Sequence, residues 1–262
     1  MRFLAKKSLG QNFLINEKIL NLIVDLGEIK NTDSVLEVGP GTGNLTEKIL
    51  NKNPKDLFII EKDKRLISHL NSKFKKNINL YHEDILEFSY KNLIDKKLII
   101  YGNLPYNIST QILVSWIKLD KLSNFCKKFI LLFQKEVADR IIAEENSKNY
   151  GRLSILCSWK MNVKKIIDIE SENFRPSPKV KSSLLTFEPK KKYLNLKCSN
   201  LEHITNVFFN QRRKMIKKPL NILFKNSDEI VKQLNLNLNL RPQNLTKETY
   251  YKICEFYEKL IN

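Results

Sequence analysis

Histidine is scarce in this 262-residue chain and paired cysteine is missing, and both shortages exclude whole classes of chemistry. Three histidines, His69, His82 and His203, form no ligand pattern with the cysteines, so no protein-held metal is expected. Cys126, Cys157, Cys198 and Cys254 are scattered without a CxxC pair, which argues against a disulfide framework and fits reduced thiols. No apolar run reaches the roughly 18–20 residues of a membrane span. Residues 1–20 carry Lys6 and Lys7 but neither the apolar stretch nor the cleavage site of a secretory signal. A cytoplasmic protein with no membrane partner is the expectation. No internal repeat is present.

Acidic residues are also short. Asp and Glu number 28 against 46 Lys and Arg, leaving a formal charge of +18 that attracts polyanions over long range. Only 8 of the cations are Arg, and a Lys-, Ile- and Asn-rich composition of this kind also arises from an AT-rich genome. The distribution argues for purpose: residues 190–262 hold 15 basic and 6 acidic side chains, a net +9. A nucleic-acid partner is therefore expected.

With 42% hydrophobic residues, the chain can bury a full core, and its length permits one large domain plus a small one. Apolar runs typical of buried parallel strands recur at 34–39, 57–61, 78–82, 98–102 and 129–134. Amphipathic helices are expected between them at 44–51, 62–74, 108–119 and 135–145. This alternation predicts a doubly wound α/β sheet with ligands at the carboxyl ends of its strands. Runs 163–169 and 181–187 flank a turn, Phe174-Arg175-Pro176-Ser177-Pro178, and predict antiparallel strands at the sheet edge. After the charged break Pro189-Lys190-Lys191-Lys192 the pattern becomes helical, at about 201–218, 220–224, 227–234 and 246–260, with Ser227 as an N-cap and 234–240 as a loop. The expected domains are residues 1–189 and 190–262.

Two motifs carry chemistry. Glu37-Val38-Gly39-Pro40-Gly41-Thr42-Gly43 follows a strand and precedes a helix, and its glycines let backbone approach a ligand closely. Glu61 ends the next strand 22 positions after Gly39, suited to ribose hydroxyls. That spacing also occurs in NAD enzymes, but no catalytic Tyr-x-x-x-Lys is evident. Asp84 is placed to accept from an adenine amino group, or is a plain surface acid. The second motif, Asn103-Leu104-Pro105-Tyr106, ends the fourth strand at the same rim. Adenine N6 is a weak nucleophile that needs no deprotonation before alkylation. Two acceptors, the Asn103 side-chain oxygen and the Leu104 carbonyl, suit its two protons and favour a pyramidal nitrogen. Pro105 fixes that turn and Tyr106 can stack on the base, whereas a plain strand-ending turn would use similar residues. Together the motifs point to N-methylation dependent on S-adenosylmethionine.

A base within a duplex cannot reach such a pocket, so the target must be unpaired or extruded. Phe174 is either a second stacking face or a core anchor. Residues Lys6 to Leu14 form an arm that either covers the cofactor or is a plain terminus. The cluster Gln211-Arg212-Arg213-Lys214-Met215-Ile216-Lys217-Lys218 is expected to contact phosphates, although part of it faces solvent regardless.

Gly10-Gln11-Asn12-Phe13-Leu14, the glycine loop, Asn103 to Tyr106, and Asn173-Phe174-Arg175-Pro176-Ser177-Pro178-Lys179-Val180 occur in that order. As a set they closely resemble the small-subunit ribosomal RNA adenine dimethyltransferase family, from about Lys6 to the C-terminus. The resemblance implies a Rossmann-like class I methyltransferase sheet with a small, mainly helical, basic RNA-binding domain. It also implies four methyl transfers from S-adenosylmethionine to N6 of two adjacent adenosines near the 3′ end of the small-subunit rRNA, in immature subunits late in assembly. S-adenosylhomocysteine is the product, no metal is needed, and a monomer is expected. Carried over by motif, the cofactor residues are Asn12, Leu14, Gly39, Gly41, Glu61, Asp84 and Asn103. Asn103, Leu104, Pro105 and Tyr106 are the catalytic set, Tyr106 and Phe174 the stacking pair. Arg212, Arg213, Lys214, Lys217 and Lys218 are the RNA contacts. The full Phe-Arg-Pro-Ser-Pro-Lys-Val turn favours the small-subunit target over the related large-subunit enzymes of macrolide resistance.

Overall fold

The computed structural model describes residues 5–6, 9–91, 93–120 and 122–261. Lys7 and Ser8, part of the expected arm, lie outside the described residues. A two-residue strand, β1 (Phe13–Leu14), precedes α1 (Glu17–Asp25). Asn16 starts this helix by accepting from the Lys18 and Ile19 N–H groups at 3.0 and 3.2 Å, satisfying two otherwise orphaned donors. Leu20, Ile23 and Val24 turn inward.

Five parallel strands follow: β2 (Ser34–Val38), β3 (Asp56–Glu61), β4 (Asn79–His82), β5 (Leu98–Asn103) and β6 (Cys126–Gln134). Between them run α2 (Asn44–Leu50), α3 (Lys64–Phe74), α4 (Ser109–Ile117) and the single turn α5 (Leu122–Phe125). Val35, Leu36, Ile59, Ile60, Ile99 and Ile100 are all essentially inaccessible, so the central strands are covered on both faces as continuous apolar runs require. After α6 (Lys135–Ile141) and α7 (Arg152–Lys160) come β7 (Met161–Ile169), β8 (Phe174–Arg175) and β9 (Ser182–Pro189). The sheet order is β4-β3-β2-β5-β6-β9-β7, with β9 antiparallel to β6. β8 leaves that sheet and pairs antiparallel with β1.

The chain divides into two units, residues 1–138 with 163–189, and residues 139–162 with 190–262. Sequence periodicity predicts a single break after 189; the structure instead groups residues 139–162 with the helical unit. The reason is α7, which was not anticipated. It buries Ile155, Leu156, Cys157 and Trp159. The Trp159 indole donates to the Leu194 carbonyl at 2.8 Å, and the Tyr251 hydroxyl donates to the Ile155 carbonyl at 2.9 Å. The rest of this unit is α8 (Cys198–Asn210), α9 (Lys217–Leu223), α10 (Asp228–Gln233) and α11 (Lys247–Ile261). The single helix expected over 201–218 is therefore two, separated by a turn in which Lys214 N–H bonds the Gln211 carbonyl. Pro219 sits in the first turn of α9, where its missing N–H costs nothing. Ser227 precedes α10 but makes no capping bond; Asn226 supplies the oxygen, accepting from Asp228 N–H at 3.0 Å.

One contact in the core yields a stability prediction. The Tyr101 hydroxyl is buried and donates to the Val24 carbonyl at 2.9 Å, and a Cβ on Gly27 would lie 1.7 Å from that hydroxyl. Gly27→Ala must displace the ring or break the bond, so it is expected to cost about 2–4 kcal/mol in urea unfolding. Tyr101→Phe in the same chain should recover part of that loss, because the nearest atom of the clash is gone.

Candidate active site

Strand register builds the site. Val38 lies level with Ile60 on one side and Gly102 on the other, so Gly39, Glu61 and Asn103 arrive together at one edge of the sheet. There they border a cavity of about 290 Å³, with Leu9 to Phe13 opposite. Gly39 and Gly41 have φ of +68° and +60°, the left-handed region that glycine tolerates. A Cβ on Gly41 would meet the Phe13 ring at 2.6 Å, whereas at Gly39 the nearest atom is the Asn103 carbonyl oxygen at 3.8 Å. Gly39 thus presents bare backbone to open space, while Gly41 is packed under the Phe13 ring.

Glu61 is 7% exposed and its Oε1 accepts from Asp63 N–H at 2.8 Å. Burial raises its pKa, and bonds from the Asp63, Gly41 and Lys62 backbone N–H groups oppose that rise. Asp84 accepts from Lys62 Nζ at 2.6 Å and from Leu86 N–H at 3.0 Å. The Lys62 bond holds its carboxyl below the usual range. Asp63, the N-cap of α3, accepts from Arg65 and from Gln11 Nε2, which ties the arm to the rim.

Asn103 is the decisive side chain. Its Nδ2 donates to the Asn12 carbonyl at 2.7 Å, and among the described residues nothing donates to its Oδ1. Asn12 spends its own amide on the Gly10 carbonyl at 3.3 Å. Leu104 is buried, but its carbonyl receives no hydrogen bond from a described residue. The Pro105 carbonyl accepts from Ile108 N–H, closing the turn into α4. The Tyr106 hydroxyl shares a 2.5 Å hydrogen bond with Ser182, and burial pushes its pKa up. Its ring lines the cavity while its oxygen is committed elsewhere.

Residues of the arm, the glycine loop and the Asn103–Tyr106 motif thus border one cavity, and comparisons with known proteins show the family. The family described as "Ribosomal RNA adenine dimethylase" matches residues 2–259. The chain belongs to the ribosomal RNA adenine dimethylase family. "Ribosomal RNA small subunit methyltransferase A" of Pelagibacter ubique is 54% identical to it over 98% of both chains. The protein of the same name from Ehrlichia canis is 42% identical over 97% of both. Among solved structures, a dimethyladenosine transferase from Plasmodium falciparum superposes with a TM-score of 0.83 at 26% identity, covering 94% of this chain and 98% of that one. The 23S rRNA methyltransferase ErmE, at 20% identity and a TM-score of 0.70, covers 96% of this chain and 100% of its own, and shows the shared fold. The α/β sheet is that of the class I methyltransferases.

Within this family architecture, two expected residues do not reach the cavity. Leu14 and Phe174 are directly opposed on β1 and β8, so they share a face, and both turn into the core at 6% and 1% exposure. Phe174 packs there as an anchor and presents no face to the cavity. Leu14 acts through its carbonyl, which accepts from Asn44 Nδ2 at 2.9 Å. Phe13, one residue earlier and on the other face, is the aromatic of the arm that lines the site. Arg212 also departs from expectation. Its guanidinium donates to Gln243 Oε1 at 3.2 Å and the Lys148 carbonyl at 2.6 Å, so it fastens a loop of the helical unit. Arg213, Lys214, Lys217 and Lys218 are exposed. Among the described residues no group of His, Cys, Asp and Glu is placed to hold a metal, and no helix is long and apolar enough to cross a membrane.

Glu37 was read only as part of the glycine motif, yet it is 2% exposed beneath the loop and accepts from Thr46 Oγ1 at 2.6 Å. Burial pushes its pKa up to about 8. A raised acid keeps its proton when folded but loses it when unfolded. Its contribution is therefore complete below about pH 4, the range of a free carboxyl, and is lost as pH rises towards 8. Glu37→Gln is expected to remove roughly 3–5 kcal/mol of the stability difference between about pH 5 and pH 8. Chemical denaturation of both proteins across that interval measures it.

Proposed function

We propose that this chain dimethylates N6 of two adjacent adenosines near the 3′ end of small-subunit rRNA, in immature subunits late in assembly. It uses S-adenosylmethionine, releases S-adenosylhomocysteine, and works as a cytoplasmic monomer. The single observation that carries the reading is the fixed Asn103 amide. With Nδ2 spent on the Asn12 carbonyl, the oxygen is what remains for an amine donor.

The donor set suits the cofactor. Gly39 offers open backbone, Glu61 a buried carboxylate for vicinal hydroxyls, and Asp84 an acceptor for an amino group, with Gly41 holding the loop close under Phe13. When bound, S-adenosylmethionine supplies an electrophilic methyl group on a sulfonium. The protein's residues do the rest by holding. Asn103 Oδ1 and the Leu104 carbonyl accept hydrogen bonds from the two N6 protons, which favours a pyramidal nitrogen whose lone pair is less conjugated with the ring. Tyr106 offers its face to the base; its hydroxyl, raised in pKa and bonded to Ser182, stays protonated and is no base. The proton displaced by alkylation leaves to solvent. No side chain has to remove it first. On the helical unit, the exposed Arg213, Lys214, Lys217 and Lys218 contact rRNA phosphates.

Labelled S-adenosylmethionine with hypomethylated small subunits tests the reading, with large subunits as control. Wild type is expected to form N6-dimethyladenosine on small subunits alone. Asn103→Ala should lower kcat about a hundredfold or more, as loss of a preorganised hydrogen bond does, with S-adenosylhomocysteine affinity changing far less. No dimethyladenosine from wild type, or full turnover by the variant, would refute it.

A further inference from the structure

Beside the main cavity lies a second, more open depression of about 360 Å³, bordered by Gly10, Asn12, Tyr106, Asn107 and Gln134. It shares the Tyr106 and Asn12 walls with the cavity, but Asn103 does not reach it. The carboxamides around the site divide sharply. Gln11 donates to Asp63, Asn12 to the Gly10 carbonyl, Asn44 to the Leu14 carbonyl and Asn103 to the Asn12 carbonyl. Each of those four spends its amide N–H groups on another part of the protein. The side chains of Gln134 and Asn107 have no hydrogen-bond partner among the described residues, and both line the depression. Gln134 is half-buried at the end of β6, so its amide does not simply merge with bulk water. A Cβ on Gly10, at φ +61°, would lie 3.2 Å from Asn107 Oδ1, so the glycine keeps that carboxamide free to move.

We propose that Gln134 and Asn107 read the ring edge of the target base, donating to the ring nitrogens that flank its amine. The proposal rests on the reading of Asn103 given above. A base lying on the Tyr106 face with its amine at Asn103 sets the edge that flanks this amine beside the depression that Tyr106 also borders. Adenine offers N1 and N7 there, and a side-chain amide supplies the N–H donor each one needs. Cytosine lacks the N7 edge. Guanine sets a carbonyl against the Asn103 oxygen, two acceptors with no proton between them. Adenine selectivity then comes from two places, the amine at Asn103 and the ring edge at Gln134 and Asn107.

Small subunits reconstituted with rRNA carrying 7-deazaadenosine or 1-deazaadenosine at the target position test this. Wild type is expected to lose about tenfold in kcat/KM on at least one analogue, the value of one base hydrogen bond. In Gln134→Ala or Asn107→Ala that penalty should vanish, while kcat/KM on adenosine falls about tenfold and S-adenosylhomocysteine affinity is unchanged. Comparing wild type and variant on one analogue cancels any change in the amine's own reactivity. Should an alanine variant lose S-adenosylhomocysteine binding, Gln134→Glu and Asn107→Asp, similar in shape but without the donor, take its place. Undiminished turnover of adenosine by both variants, or an analogue penalty that persists in both, would overturn the proposal. A wild type inactive on adenosine would instead overturn the methyltransferase reading beneath it.

Discussion

A single hydrogen bond, from Asn103 Nδ2 to the Asn12 carbonyl, decides which end of a carboxamide faces the cavity. An amide is nearly symmetric in shape and opposite in chemistry at its two ends. Turned one way, it accepts the protons of a weakly nucleophilic amine; turned the other, it repels them. A neutral hydrogen bond contributes only about 1 kcal/mol to stability, but leaving a buried donor unpaired costs more, so the orientation is well enforced. The enforcement comes from outside the motif. Asn12 lies on the N-terminal arm, far from Asn103 in the chain, and the tetrapeptide alone does not set its own amide.

The arm in turn is held by contacts from three other elements. β1 pairs with β8 over two residues, Gln11 bonds Asp63, and Asn44 bonds the Leu14 carbonyl. Each ties the Asn12 backbone to a different element of the same unit: the β8 turn, the start of α3 and the start of α2. Phe13 then packs over Gly41, which places the arm and the glycine loop in direct contact. The cavity is therefore bounded by one contiguous set of contacts from the arm to the strand edge. The carboxylates beneath it follow the same logic. Burial raises the pKa of both acids, but at Glu61 three backbone N–H groups oppose the rise, whereas at Glu37 only the Thr46 hydroxyl does.

Much of this was legible in the sequence because it is local. Buried parallel strands read as short apolar runs, and Gly39 to Gly43, Glu61 and Asn103 sit at strand ends that such runs delimit. What escaped was set by pairings distant in the chain. Whether Phe13 or Leu14 faced the cavity depended on a two-residue ladder with β8, too short to show a period, and the same ladder turned Phe174 into the core. Arg212 is indistinguishable in sequence from its cationic neighbours, and only its contacts with Gln243 and the Lys148 carbonyl set it apart. Helix α7 was masked because its residues are buried nearly all round, which leaves no amphipathic stripe to read. Gln134 gave no signal at all, since a polar residue ending an apolar strand is the ordinary case.

The account stands or falls on the direction of one amide, and neutron diffraction from deuterated crystals observes that direction without recourse to activity. Two deuterons on the Asn103 side-chain atom facing the Asn12 carbonyl, with a bare oxygen towards the cavity, is the predicted result. Deuterons pointing into the cavity, with the oxygen turned to Asn12, would contradict it.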